Sequence, residues 1–208
     1  VYLPDNHPPE VGDVFIQAEL GKSLQYMADE EAGKTHDGRE AGIRAARDAF
    51  YKGDIARKFA QYHADNGGFL TYDDMANYEV RVEPTVKTSV GDIELHCCGP
   101  WSQGPLLSQT LRLLEGYDLK SMSHNSAEYI HVLVEALKLS CADRERYYGD
   151  PNFVDVPMTQ LLSDDYTALR RSLIRHDTAW PEMPPPGDPV NGKATTAPGP
   201  AIPPPASI

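Results

Sequence analysis

The sequence is short of positive charge: 19 Lys and Arg stand against 31 Asp and Glu among 208 residues, a formal net charge of −12. Phosphate backbones and anionic lipid surfaces repel so acidic a chain, which argues against nucleic acid or a charged membrane surface as a partner. Long apolar runs are missing too. No stretch approaches the roughly 20 residues that a membrane-spanning helix needs, and the amino end shows no signal-peptide pattern. An initiator methionine is absent, and the opening VYLPDNHPPEVGDVF reads like the inside of a longer protein. Cysteine is scarce. Cys97, Cys98 and Cys141 make neither a disulfide framework nor a CxxC pattern, and they leave the redox compartment open. The seven histidines are scattered, without HExxH or an i, i+4 pair of ligands, so no metal site is expected from His96, Cys97, Cys98 and Cys141, and no cofactor is expected.

What is present is a succession of helical patterns around one hairpin. Residues 1–10 are an extended, proline-bearing lead-in. Ala18, Leu20, Leu24 and Met27 give a first helix its apolar side, and the polar segment Asp29 to Gly38 is expected to end it. A second helix is expected over Arg39 to Phe50, and a third from Asp54, with Ile55, Phe59 and Tyr62 on one face and a stop at Asn66-Gly67-Gly68. Thr71, with Asp74 at the box position, caps a short turn carrying Met75 and Tyr78. Val80 to Val90 and Ile93 to Cys98 alternate around Gly91-Asp92, the mark of a β-hairpin whose first strand is interrupted at Pro84. Pro105 suits the first turn of a helix with Leu107, Thr110, Leu111 and Leu114. Ser163 or Asp164 caps a last helix with Tyr166, Leu169, Leu173 and Ile174.

The most legible helix lies in Asn125 to Pro157, NSAEYIHVLVEALKLSCADRERYYGDPNFVDVP. Ala127, Ile130, Val134, Leu137 and Cys141 recur at three- and four-residue spacing and form its expected buried stripe, while His131, Glu135, Lys138 and Glu145 fall away from it. Asn125 is the expected cap, with Glu128 reaching back, and Gly149-Asp150-Pro151 ends the run. From residue 179 the composition turns to proline set among Gly, Ala and Thr, which makes 179–208 an extended or disordered tail with no core of its own.

The wording of the helix and the loop after it resembles the gamma-glutamyltransferase (gamma-glutamyltranspeptidase) family, whose large subunit carries an EALKLAFADRxRYLGDPDFVxVP-like segment. FYKGDIA at Phe50 to Ala56 and NGGFLTYDDMANYEV at Asn66 to Val80 are similar to the family's FYxGxIA and NGGxLTxxDLxxYxV blocks, in the same order. The resemblance implies an α+β fold class. The chain would supply the helical part, residues 11–178, of an αββα N-terminal-nucleophile (Ntn) hydrolase, with a hairpin and a proline-rich tail. It implies acyl transfer from a gamma-glutamyl amide such as glutathione to water or an amino acid, through a threonine freed by autocleavage on a small partner subunit. It also implies an exported enzyme, periplasmic or extracellular, with a cytoplasmic one as the alternative.

Candidate site residues are few. Trp101, Ser102, Gln103 and Gly104 form a strand-to-helix loop whose amides could meet an anion or oxyanion, and they are the expected substrate contacts; a rigid structural turn is the plainer reading. Ser102 is not a nucleophile, because GPWSQGP is not a GxSxG elbow. Asp73-Asp74 sit where carboxylates support a helix start, and Asp143 with Arg144 reads as an ion pair or cap. Thr195-Thr196 are followed by Ala197-Pro198-Gly199-Pro200, which cannot run into a buried strand, so neither is the nucleophile. No catalytic residue is expected in the chain. The threonine is expected after Ile208, and the family arginine that grips the substrate α-carboxylate is expected upstream of this sequence. The family's PPSSGG-like segment stands here as Gly99-Pro-Trp-Ser-Gln-Gly-Pro105, which points away from glutathione itself. Two other readings are a related acylase or amidase on the same scaffold, and an interaction module that has lost catalysis.

Overall fold

The computed structural model describes residues 2–3 and 6–194, in two compact units, Val1–Arg81 and Val82–Ile208. The first unit is helical: α1 Ala18–Lys34, a 3-10 turn over Thr35–Asp37, α2 Arg39–Tyr51, α3 Asp54–Asp65 and α4 Tyr72–Ala76. Helix α1 ends at Lys34, inside the polar segment Asp29 to Gly38 expected to end it, and the 3-10 turn carries the chain on to α2, against which α1 packs. The start of α4 is the expected capping box. Asp74 N–H donates to Thr71 Oγ1 (3.2 Å), and Thr71 N–H donates to Asp74 Oδ2 (2.8 Å). Tyr72 Oη donates to Lys52 O (2.9 Å), and Tyr78 stacks on Tyr51 with ring centroids 5.3 Å apart, so α4 is tied to the end of α2.

The second unit opens with the hairpin. Strands β1 Val86–Val90 and β2 Ile93–Cys97 pair antiparallel in the register Val86 to Cys97 and Val90 to Ile93. β1 begins only after Pro84, which has no N–H to give to a ladder. Four helices follow: α5 Gly104–Leu114, α6 Ala127–Tyr147, α7 Met158–Leu161 and α8 Asp164–Arg171. Their core is a cluster of Leu113 and Leu114 from α5, Val132, Ala136 and Leu139 from α6, and Ile174 beyond α8. Pro105 does occupy the first turn of α5, and Ser163 caps α8 by accepting from Tyr166 N–H (3.3 Å).

Helix α6 corrects two expectations. Its cap is Ser126, whose hydroxyl accepts from Tyr129 N–H (3.2 Å), while Asn125 takes a left-handed φ of 57° to turn the chain into it. The expected stripe faces outward as well. Ile130 is 46 % exposed, Val134 39 % and Leu137 36 %, whereas Val132, Glu135, Ala136, Leu139, Ser140 and Asp143 are buried. Polar side chains can occupy the inner face because each is satisfied there. Ser140 Oγ donates to Ala136 O (3.1 Å), and Glu135 accepts from Lys138 Nζ (2.8 Å) and from Trp180 N–H (3.1 Å).

The proline-rich segment after α8 lies against α6 and α8 over residues 180–189, with Pro184, Gly187 and Pro189 buried. Lys138 Nζ donates to Trp180 O (2.7 Å) and Tyr147 Oη donates to Gly187 O (2.8 Å). A single bridge, Asp188 to Lys193, then turns the chain back on itself. Thr195 and Thr196 lie outside the described residues.

Candidate functional site

The loop from β2 to α5 and the last turn of α6 enclose an open cleft of about 360 Å³, lined by Trp101, Ser102, Gln103, Arg144, Glu145 and Tyr148. The loop is folded tightly onto the hairpin. A Cβ at Gly104 would stand 2.8 Å from Cys97 Cβ and from Cys98 O, so only glycine lets α5 start there. Ser102 Oγ donates to Gly99 O (2.9 Å) and accepts from Gly104 N–H (3.2 Å). Its proton is committed to a carbonyl and its oxygen to an amide, so its contacts in the structure are those of a turn residue. Trp101 is 54 % exposed and its Nε1–H donates to Glu83 Oε2 (2.8 Å), which stands the indole at the cleft mouth.

Three of the four candidate residues therefore line one cleft, Trp101, Ser102 and Gln103, and Gly104 shapes its base. The sequence reading missed Arg144 and Tyr148. Arg144 does not pair with Asp143. Its Nη1 donates to Gln103 Oε1 (2.9 Å), and its other nitrogen bonds the neighbouring Glu145 carboxylate. That hydrogen bond to Glu145 holds the guanidinium pKa above its usual value, so Arg144 is a permanent cation facing the loop. Tyr148 Oη donates to Gln109 Oε1 (2.5 Å); burial, and then the negative charge of Asp143, push its phenol well up, and it stays a neutral donor. Gly149, ending the ADRERYYG run, closes the same rim.

Beneath the cleft sits a buried polar cluster centred on Asp143, which is 1 % exposed. Its carboxylate pairs with Arg170 Nη2 (3.1 Å) and accepts from Gly187 N–H (2.9 Å), Tyr166 Oη (3.0 Å) and Gln109 Nε2 (3.3 Å). Burial pushes the Asp143 carboxyl up, and these four donors, Arg170 foremost, pull the other way. Arg170 also donates to Leu139 O and to Pro185 O, both at 3.1 Å. This confirms an ion pair for Asp143 but gives it a different partner, one that no local spacing reveals. Among the described residues no group of three or more His, Cys, Asp or Glu side chains is arranged to hold a metal, and no helix is long and apolar enough to cross a membrane.

The α+β arrangement is that of Ntn hydrolases. The crystal structure of Helicobacter pylori gamma-glutamyltranspeptidase superposes with a TM-score of 0.72 at 27 % identity, over 88 % of this chain and 50 % of that one. Cephalosporin acylase from Bacillus halodurans superposes with a TM-score of 0.67 at 25 % identity, over 90 % and 31 %. The family model described as gamma-glutamyltranspeptidase matches residues 1–200, and the chain belongs to that family. Among curated proteins, the acylase ACY 1 proenzyme of Pseudomonas sp. (strain SE83) is 33 % identical over 180 residues, covering 85 % of this chain and 29 % of that protein. The glutathione hydrolase proenzyme of Bacillus subtilis (strain 168) is 33 % identical over 190 residues, covering 91 % and 30 %. The chain thus spans about 30 % of the length of these relatives.

Proposed function

We propose that this chain is the large-subunit part of a gamma-glutamyltransferase-like Ntn hydrolase that acts on gamma-glutamyl amides together with a small subunit cut from the same precursor. The observation that carries the reading is the family match through residues 1–200, with relatives that are themselves proenzymes. In the proposed reaction the hydroxyl of an N-terminal threonine outside residues 1–208 attacks the gamma-carbonyl. Its own α-amine, with a pKa near 8, takes the hydroxyl proton and passes it to the departing amine. The acyl-threonine ester is then opened by water or by an amino acid, which regenerates the hydroxyl. This chain contributes the cleft: Arg144 offers a fixed cation and Gln103 a polarised amide to an anionic or amide group, Trp101 an apolar wall, and Ser102 and Gly104 the rigid loop that holds them.

A second reading is an acylase with a different acyl pocket. The Pseudomonas acylase is as similar to the chain as the glutathione hydrolase is, and the loop Gly99 to Pro105 departs from the PPSSGG-like wording. A panel of gamma-glutamyl, glutaryl and adipyl amides, assayed with the full-length precursor after maturation, separates the two. The proposal requires preference for the gamma-glutamyl amides; faster release from the amides lacking the α-amine would favour the acylase. Residues 1–208 alone are expected to turn over none of them, and clear turnover of a gamma-glutamyl anilide by the isolated chain would refute the partner requirement.

A further inference from the structure

The segment Trp180–Gly187 is a strap held at both ends through its main chain. At one end Trp180 N–H meets Glu135 Oε2 (3.1 Å) and Trp180 O meets Lys138 Nζ (2.7 Å). At the other, Gly187 N–H meets Asp143 Oδ1 (2.9 Å) and Gly187 O meets Tyr147 Oη (2.8 Å). Main-chain anchoring holds the strap whatever its side chains are, except at Gly187. A Cβ there would stand 2.1 Å from Tyr166 Oη and 2.9 Å from Arg170 Cδ. Because Tyr166 and Arg170 are themselves buried, neither can swing away without giving up its bond to Asp143.

The other oxygen of Asp143 is buried between Tyr166 Oη and the Gln109 amide, and Gln109 leads on to the cleft wall. Asp143 Oδ2 accepts from Gln109 Nε2 (3.3 Å), and Gln109 Oε1 accepts from Tyr148 Oη (2.5 Å) in the cleft wall. Gln109 is 5 % exposed, so no water substitutes freely for either bond. Its amide is also polarised in one sense only: the nitrogen must face the carboxylate, which leaves the oxygen for the tyrosine. One carboxylate thereby fixes both the end of the strap and the orientation of the group that holds Tyr148.

We propose that Asp143 is a positioning residue that couples seating of the 180–187 strap to the Tyr148 wall of the cleft, so that the cleft keeps its shape only while the strap is docked. The activity arm of the test rests on the proposed function; the structural arm does not. The experiment is hydrogen exchange by mass spectrometry on the full-length precursor, comparing wild type, Gly187→Ala, Gln109→Leu and the double variant. Gly187→Ala is expected to speed exchange by about tenfold or more in the strap and also at the amides of Tyr148 and Gly149, since local opening sets these rates. In the Gln109→Leu background the same substitution is expected to loosen the strap alone, with no added change at Tyr148 and Gly149. Should Gly187→Ala not fold, Tyr147→Phe removes only the bond to Gly187 O and is expected to give the same pattern at about fivefold. With a cleaved amide, Gly187→Ala should raise KM by about fivefold and leave kcat within about twofold, because a looser wall weakens binding without touching the nucleophile. Exchange at Tyr148 and Gly149 that ignores the strap, or that rises equally with and without Gln109, overturns the coupling. Failure to turn over any amide would overturn the proposed reaction and leave the exchange result standing.

Discussion

Replacing Arg170 with methionine tests the buried centre of the second unit. Arg170 and Asp143 are both 1 % exposed and 3.1 Å apart, so the substitution strands a carboxylate in a site that water cannot reach. Removing one partner of such a pair costs about 3–5 kcal/mol, and the loss of the Arg170 bonds to Leu139 O and Pro185 O belongs within that figure. Adding Asp143→Asn takes away the stranded charge and should restore about 1–3 kcal/mol, since an amide is far cheaper to bury than an unpaired carboxylate. The cost must also depend on pH. Burial already raises the Asp143 pKa above 3.8, and without Arg170 to oppose it the value climbs further. A carboxyl with a raised folded pKa binds more protons when folded than when unfolded. The variant is therefore best off below the unfolded value and loses stability as pH rises through the folded one. Equilibrium urea unfolding, followed by circular dichroism at about pH 5 and about pH 8, reads both effects. A cost under about 1 kcal/mol at the higher pH, or a cost that does not grow with pH, would refute the reasoning.

Three further outcomes are expected. Leu139→Ala, at a fully buried position, should cost about 2–5 kcal/mol in urea unfolding, whereas Leu137→Ser or Val134→Ser should stay within about 1 kcal/mol; a large loss at Leu137 would mean that α6 faces the other way. Asp74 should titrate below 3.8 by NMR, since its bonds with the Thr71 side chain and amide favour the charged form. Its contribution to α4 should accordingly hold above that value and vanish as pH falls through the lowered pKa, and a titration above 3.8 would contradict the capping box. Arg144→Lys should weaken amide turnover by the matured enzyme mainly through KM, because an ammonium cannot face Gln103 and a ligand with the same planar fork.

What could be read from the sequence was local chemistry. The Thr71–Asp74 box, Pro105 at the start of α5, Ser163 before α8 and the Gly91-Asp92 turn each depend on groups a few residues apart, and each stands in the structure where the sequence places it. The inner face of α6 could not be read that way. Glu135 and Asp143 are polar by type, and their burial is offset by Lys138, Trp180, Arg170 and Gly187, the last three of which come from distant parts of the chain. Periodicity therefore assigned the inside to Ile130, Val134 and Leu137, which are exposed instead. The cleft was half legible for the same reason. Trp101 to Gly104 stood out as a strand-to-helix loop, but Arg144 and Tyr148 join it only because the end of α6 arrives beside the start of α5.

The central claim, a threonine acyl-enzyme built on this scaffold, is tested most directly by mass spectrometry of the full-length precursor, matured and then quenched during turnover of a gamma-glutamyl anilide. The account predicts two polypeptides, the smaller beginning with threonine and carrying one gamma-glutamyl group on that residue. An uncut chain that still releases the anilide, or an acyl group on any residue from 1 to 208, would contradict it.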